Sequence, residues 1–418
     1  MKIRFLSWIF IVFYFNGTNV FSQHISFSAV NFSPERNINS LLAIGEDHLG
    51  YIWITSRGGG IYRYDGREFI NFQHSDTNSN SLASNRAECI LVDSSDILWI
   101  GTLGKGMDRF DPATGSFTHF RHLPGNGSSI ASDTVTAILE DHLGNLWVGG
   151  YGGVDLLDRK TGKFTHYPYK DNDASSLSDN LVRGLYEDRK GTLWVACGSP
   201  FPREGKPNEG GLNRFNRTSG NFTRYLHDPS DPKSLETNKV KAMFEDSKGN
   251  FWIGTSGNGL HIMDREKGTF THYYYDPEHP EKLSRPVPSQ ISYDHITFIN
   301  EDKAGGIWIG TLACGINRYD PVSQKITHFG SVLLNERANL PLAKDTAAGF
   351  RDFSTWQALF SNDGTIWITT LLTWRTVGSY LYRANPFVKL VPFYPTSKPG
   401  ANTFYYDADS VLWVGTDS

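Results

Sequence analysis

Short apolar runs and short polar runs alternate along this chain, and the same alternation returns many times. Residues 135–167 show one round of it. VTAILE and LWVGG are split by the polar turn DHLGN; GGVDLLD and FTHY follow, split by RKTGK. The apolar runs are too short for a helix of ten residues and lack a 3.6-residue period. They are rich in β-branched and aromatic residues, which predicts strands. Asp141 and Gly144 bracket the first turn, where Asp can bond backbone amides and Gly tolerates positive φ. VTAILE is expected as the innermost strand of a four-stranded antiparallel unit and FTHY as the outermost.

The round is anchored on tryptophan: Trp53, Trp99, Trp147, Trp194, Trp252, Trp308, Trp367 and Trp413 stand 46, 48, 47, 58, 56, 59 and 46 residues apart. A period of roughly 40–50 residues with four strands per repeat predicts the blades of a β-propeller. The tryptophans are expected to fill the wedge between neighbouring blades. The first turn recurs as Asp47/Gly50, Asp188/Gly191, Asp246/Gly249 and Asp302/Gly305, and departs to Asp93/Asp96 and Ser361/Gly364 in the second and seventh repeats.

Seven repeats are complete. ISFSAVNF, residues 25–32, is a strand without a partner in its own repeat, placed to supply the outer strand of the last blade and close the ring. The expectation is therefore an all-β, seven-bladed β-propeller over residues 24–395, with an eight-bladed ring as the alternative. Residues 396–418 read as the first hairpin of a second propeller, and the chain as a fragment of a longer protein. At the other end, Lys2 and Arg4 precede the apolar run FLSWIFIVFYF, and Ser22 precedes Gln23. Residues 1–22 are expected to be a signal peptide and the rest to lie in solvent outside the cytoplasm.

Charge adds little. With 40 basic and 44 acidic residues the formal charge is −4, and no basic stripe points to nucleic acid. Cys89, Cys197 and Cys314 fall in different repeats, so buried free thiols are expected in place of disulfides. His119, His166, His272 and His328 recur in outermost strands, too dispersed to share a metal. Glu140 and Asp141 point to opposite sides of a strand end, which suits a turn and not an acid/base pair. Ser-Asp-Asn in SLSDN, 176–180, is an inter-blade turn, because SLASN, SSIASD and SLETN hold the same place. GTSGNG, 254–259, lacks the Lys and helix of a phosphate loop. No nucleophile–base–orienter set is found, and no cofactor is expected.

The repeats differ in four long connections: 197–211, 276–295, 330–355 and 371–379. All follow a second or a fourth strand, so in an up-and-down sheet all emerge on one face. Loops on a rigid scaffold are where binding residues tend to sit. Arg203, Arg285, Arg351, Trp356, Trp374 and Arg375 are the expected ligand-binding residues, since Trp stacks on sugar rings and Arg pairs with carboxylates.

The phrase ED-x-x-G-x-LW-ϕ-GT-x-x-GGL-x-R-[FY]-D, followed by SL-[SA]-x-[ND], with ϕ apolar, resembles the two-component regulator propeller family over roughly residues 36–418. The resemblance implies the periplasmic sensor region of a hybrid histidine kinase, anchored in the inner membrane by a segment downstream of these residues. It also implies an oligosaccharide ligand. A homodimer is the form in which such a module would signal. A secreted lyase or glycoside hydrolase and a protein-interaction scaffold are the competing readings.

Overall fold

A computed structural model of the chain describes residues 25, 27–30, 40–198, 209–256, 259–273, 295–312, 315–329, 355–370, 381–384, 401–406 and 412–416. The chain divides into two compact units, residues 1–386 and 387–418. The first is the seven-bladed propeller, each blade a four-stranded antiparallel sheet. In blade three the strands are Val135–Glu140, Leu146–Gly150, Gly153–Asp158 and Lys163–Tyr167, in that order from the inside outward. In the second unit, Ala401–Tyr406 pairs antiparallel with Leu412–Thr416, the strand that contains Trp413.

The ring closes as the surplus strand predicts. Phe27–Val30 pairs with Leu381–Ala384 and becomes the outermost strand of blade seven. Phe27 packs into a core with Trp308 and Phe329 of blade six, ring centroids 6.2 and 5.3 Å away.

The second strand of every blade is buried throughout, because both its faces lie against neighbouring sheets. Its tryptophan is at most 7% exposed in all seven blades. Burying an indole requires a partner for its N–H, and an aspartate six residues earlier supplies it. The Trp53, Trp99, Trp147, Trp194, Trp252 and Trp308 indoles donate to Asp47, Asp93, Asp141, Asp188, Asp246 and Asp302 at 2.7–2.9 Å. The other oxygen of each carboxylate accepts the backbone N–H groups two and four residues on, as at Leu143 and Asn145 for Asp141. One side chain thus shapes the turn and satisfies the core. At the two departures the turn survives: Asp96 adopts φ 59°, and Ser361 stands where the acceptor should be, with its hydroxyl unbonded among the described residues.

Arginines from the third-to-fourth-strand turn tie blade to blade on the face of these turns. Arg159 reaches Asp93 and Glu140, Arg217 reaches Asp141 and Glu187, and Arg265 reaches Asp188 and Glu245. At the rim, His119 and His166 bond Asp108 and Asp155 at 2.7 Å. Those buried carboxylates also accept the Ala83 and Ala131 amides of the inter-blade turns. The recurring Glu, Asp and His residues are thereby accounted for by scaffold. Cys89 and Cys197 are buried free thiols; Cys314 and the side chain of His328 lie outside the described residues.

Candidate functional site

The seven innermost strands surround a central channel of about 300 Å³. What faces into it is set by a defect in the β-ladder. In blades two to seven, pairing with the second strand skips the second residue of the innermost strand: Glu88, Thr136, Arg183, Lys241, Thr297 and Trp356. In blade one two residues, Leu42 and Ala43, are skipped. A β-bulge leaves its extra residue out of the ladder and re-aims its side chain. All six of the skipped residues in blades two to seven line the channel, and Ala43 completes the circle.

These residues lie where the innermost strands begin, which is also where the second strands end. Arg57, just past the second strand of blade one, and Tyr151, just past that of blade three, reach in from the mouth. Arg57 bonds Glu88 through one guanidinium nitrogen at 3.0 and 3.1 Å, and the Arg183 guanidinium lies 5.8 Å from the Tyr151 ring centre. The connections after second and fourth strands leave from this same end. The described residues that flank the four insertions, such as Cys197 with Gly211 and Thr355 with Thr370, are paired strand ends there.

Members of the circle differ in how they are satisfied. Thr136 donates to the Val182 carbonyl of the next blade, and Thr297 meets Thr355 at 3.4 Å. Glu88 is held by Arg57. The Lys241 ammonium lies over the Trp356 ring, 4.5 Å from its centre, with no ion pair recorded for it among the described residues. Lys241 is half-buried, yet its ammonium sits within the channel. Burial, and next the charge of Arg183, bring its pKa from 10.5 down to about 8, while Glu88 opposes the fall. Among the described residues no three His, Cys, Asp or Glu side chains group closely enough to hold a metal ion.

Of the ligand-binding residues expected from sequence, Trp356 is the one within the described residues. It stands on the innermost strand Thr355–Phe360 and not in a connection, because strand pairing begins at Thr355. Arg203, Arg285, Arg351, Trp374 and Arg375 lie outside the described residues. Sequence reasoning passed over Glu88, Arg183 and Lys241. Their signal is the second position of each innermost strand, which runs Leu, Glu, Thr, Arg, Lys, Thr, Trp in an otherwise uniform repeat.

The two component regulator propeller model matches residues 129–152, 176–199 and 234–257, parts of blades three, four and five. No curated protein sequence matches the chain. Among solved structures, the chain is similar to the extracellular domain of a protein described as the hybrid two component system BT3049 of B. thetaiotaomicron, with 21% identity and a TM-score of 0.64. The likeness covers 94% of this chain and 47% of that one. It is also similar to the extracellular domain of a protein described as the one component system BT4673 of the same organism, with 18% identity and a TM-score of 0.59, over 93% and 44% of the two chains. The chain therefore spans about half the length of these two relatives. Virginiamycin B lyase of Staphylococcus aureus has the same fold, with 14% identity, a TM-score of 0.57, and 86% and 99% of the two chains covered. The chain is thus a seven-bladed propeller whose fold is related to the two component regulator propeller family and to extracellular sensor domains of two component systems.

Proposed function

We propose that this propeller is an exported, periplasmic sensing domain of a two-component system. It binds an oligosaccharide at the channel mouth and reports occupancy to a histidine kinase that lies outside these residues, in a protein anchored to the inner membrane. The observation that carries the reading is the circle of bulged residues. The fold repeats its core residues from blade to blade but varies the side chain at the bulge, which is Glu, Thr, Arg, Lys, Thr and Trp in blades two to seven, and the four insertions leave the scaffold at the same end. Variation confined to one mouth of a uniform ring suits recognition, because the repeated core does not fix which side chain stands there. Arg203, Arg285, Arg351, Trp374 and Arg375 are proposed to complete the site from the insertions. Coupling would require the ligand to favour one arrangement of the protein over another, and a homodimer is the proposed signalling form.

Calorimetric titration of the exported chain with a panel of oligosaccharides tests this. Binding that Trp356→Ala weakens tenfold or more is the expected result. Absence of binding across the panel, or binding indifferent to Trp356, overturns it.

A second reading is enzymatic. The lyase shares the fold, and Lys241, with a pKa near 8, is suited to take a proton from a substrate. Turnover of a panel member that Lys241→Met abolishes would establish it in place of sensing.

A further inference from the structure

We infer that the joint between blades two and three is a binding site for a single-ring aromatic carboxylate. Its ring takes the place of a side chain that the joints on either side supply, and its acid group pairs with Arg109. The site lies toward the face of the Asp-Gly turns, at the end of the sheets opposite the channel mouth, and does not depend on the sensing reading.

The wedge between blades is built as a cage of three rings. One is the tryptophan of the second strand, one comes from the outermost strand of the same blade, and one from the third strand of the next. Trp53, Phe72 and Phe110 stand 5.2–5.9 Å apart, and Trp147, Tyr167 and Phe215 stand 5.1–5.8 Å apart. Between blades two and three, Trp99 and Phe120 keep their places at 5.9 Å, but the third corner is Leu157. Leu157 pairs with Leu146 as Phe110 pairs with Leu98, so it holds the ring's position in the ladder without the ring. A cavity of about 300 Å³ lies there, bounded by all three side chains. An apolar cavity of roughly 150 Å³ is enough to hold benzene, so one ring with a short substituent fits. A missing ring need not leave a gap. Between blades four and five the same corner is Met263, buried in one core with Trp194, and a flexible thioether can fill such space.

The polar wall of the cavity selects the substituent. Arg109 pairs with Trp99 in the column where Arg318 bonds Asp302 of its own blade at 2.7 Å. In blade two the corresponding carboxylate is already filled. Asp93 accepts the Ser95 and Ile97 amides on one oxygen, and the Trp99 indole and Arg159 on the other. Arg159 is matched in turn by Asp93 and Glu140. Arg109 is left with Asp111 at 3.8 Å, beyond hydrogen-bond reach, and its side chain is a third exposed in the cavity wall. A ligand carboxylate can take two parallel N–H bonds from that guanidinium and displace a contact that is already long.

The test is calorimetric titration of the whole chain at pH 7 with three probes of one size: phenylacetate, the neutral phenylacetamide and the saturated cyclohexylacetate. Phenylacetate is expected to bind with a millimolar or tighter dissociation constant. It should bind about fivefold more tightly than the amide, the scale of one partly exposed charge pair, and about threefold more tightly than the saturated acid, the scale of a ring–ring preference. Arg109→Met should bring phenylacetate down to the level of the amide and leave the amide unchanged. Leu157→Phe, which sets a ring in the gap, should abolish binding of all three, with folding checked by circular dichroism. Trp356→Ala, in the channel, should change nothing. Failure of phenylacetate to bind overturns the inference, as does binding that survives Leu157→Phe in a folded protein. Equal affinity for acid and amide overturns the pairing with Arg109, and equal affinity for the aromatic and saturated acids overturns the ring assignment. Binding lost in Trp356→Ala and kept in Leu157→Phe overturns this site and places the ligand in the channel. Should Leu157→Phe not fold, an acid preference that survives Arg109→Met overturns the site by itself.

Discussion

The Phe215 ring meets the Trp147 ring edge-on at 5.1 Å, across the joint between blades three and four. Phe110, Tyr319 and Tyr64 meet Trp53, Trp252 and Trp367 in the same way at 5.9, 6.2 and 5.9 Å. At the joint between blades two and three the ring is missing. Leu157 packs beside Trp99, and a cavity of about 300 Å³ opens next to them, bounded also by Phe120, Arg109 and Arg159. Leu157→Phe is expected to fill part of that space and raise stability by about 1 kcal/mol. A lower melting temperature in the variant would mean that the joint is overpacked by a ring and that the gap is not a defect.

The carboxylate of Asp141 is asked to do several things at once. Burial works against its charge, but the Trp147 indole, the Asn145 side chain and Arg217 outweigh that and hold its pKa down to about 2. A depressed acid stabilises the folded chain fully above its ordinary value of 3.8 and loses that contribution as pH falls toward 2. Asp141→Ala strands the indole and one bond of Arg217, and is expected to cost about 3 kcal/mol at pH 7 and much less at pH 2. Blade seven offers the reverse experiment. Ser361→Asp restores an acceptor beneath Trp367, with Arg383 in the column that Arg318 uses to bond Asp302. A gain of about 1 kcal/mol is expected in chemical denaturation.

Lys241 has a pH signature opposite to that of an ordinary paired lysine. Its pKa in the folded chain is about 8 against an ordinary 10.5. Between those values the unfolded chain keeps a proton that the folded chain has released, so stability rises with pH across the window. Arg183 and Glu88, from blades four and two, are the charges that act on it. Lys241→Met should flatten the rise and raise stability at pH 7 by about 2 kcal/mol. Denaturation at pH 7, 8, 9 and 10 measures both effects, and a slope shared by parent and variant would place the titration elsewhere.

Gln324 holds φ 57° in the third-to-fourth-strand turn of blade six, where Gly115, Gly162, Gly220 and Gly268 hold φ of 69° to 71° in other blades. The left-handed region strains a residue with a Cβ by about 1–2 kcal/mol, and glycine returns part of that in unfolded-state entropy. Gln324→Gly is therefore expected to stabilise by about 0.5 kcal/mol, readable as a small rise in melting temperature.

How much of this was legible in the sequence depends on what repeats. The Asp141-to-Trp147 spacing recurs, so the turn, the strand and the buried indole could be read in register. Phe27–Val30 could be placed because one strand lacked a partner. Glu88, Arg183 and Lys241 are not legible in the sequence, because their direction depends on a bulge, and a bulge is a property of pairing between two strands. Read with a period of two, they are polar residues at the start of an inner strand and nothing more. Trp356 reads by its type as a residue of a connection, since the innermost strand of blade seven follows a long insertion without a turn signal.

The sheet that joins Phe27–Val30 to Leu381–Ala384 has a consequence for biogenesis. Ser28 and Arg383, partners in that sheet, are 355 residues apart. As the chain emerges from a ribosome or a translocon, the first strand must wait, unmated, until Leu381–Ala384 has been made. Such a waiting edge is a template for association with other chains. Brief delay between synthesis and ring closure would therefore favour yield, and a chaperone that shelters the segment around Phe27 would act at the point of greatest exposure.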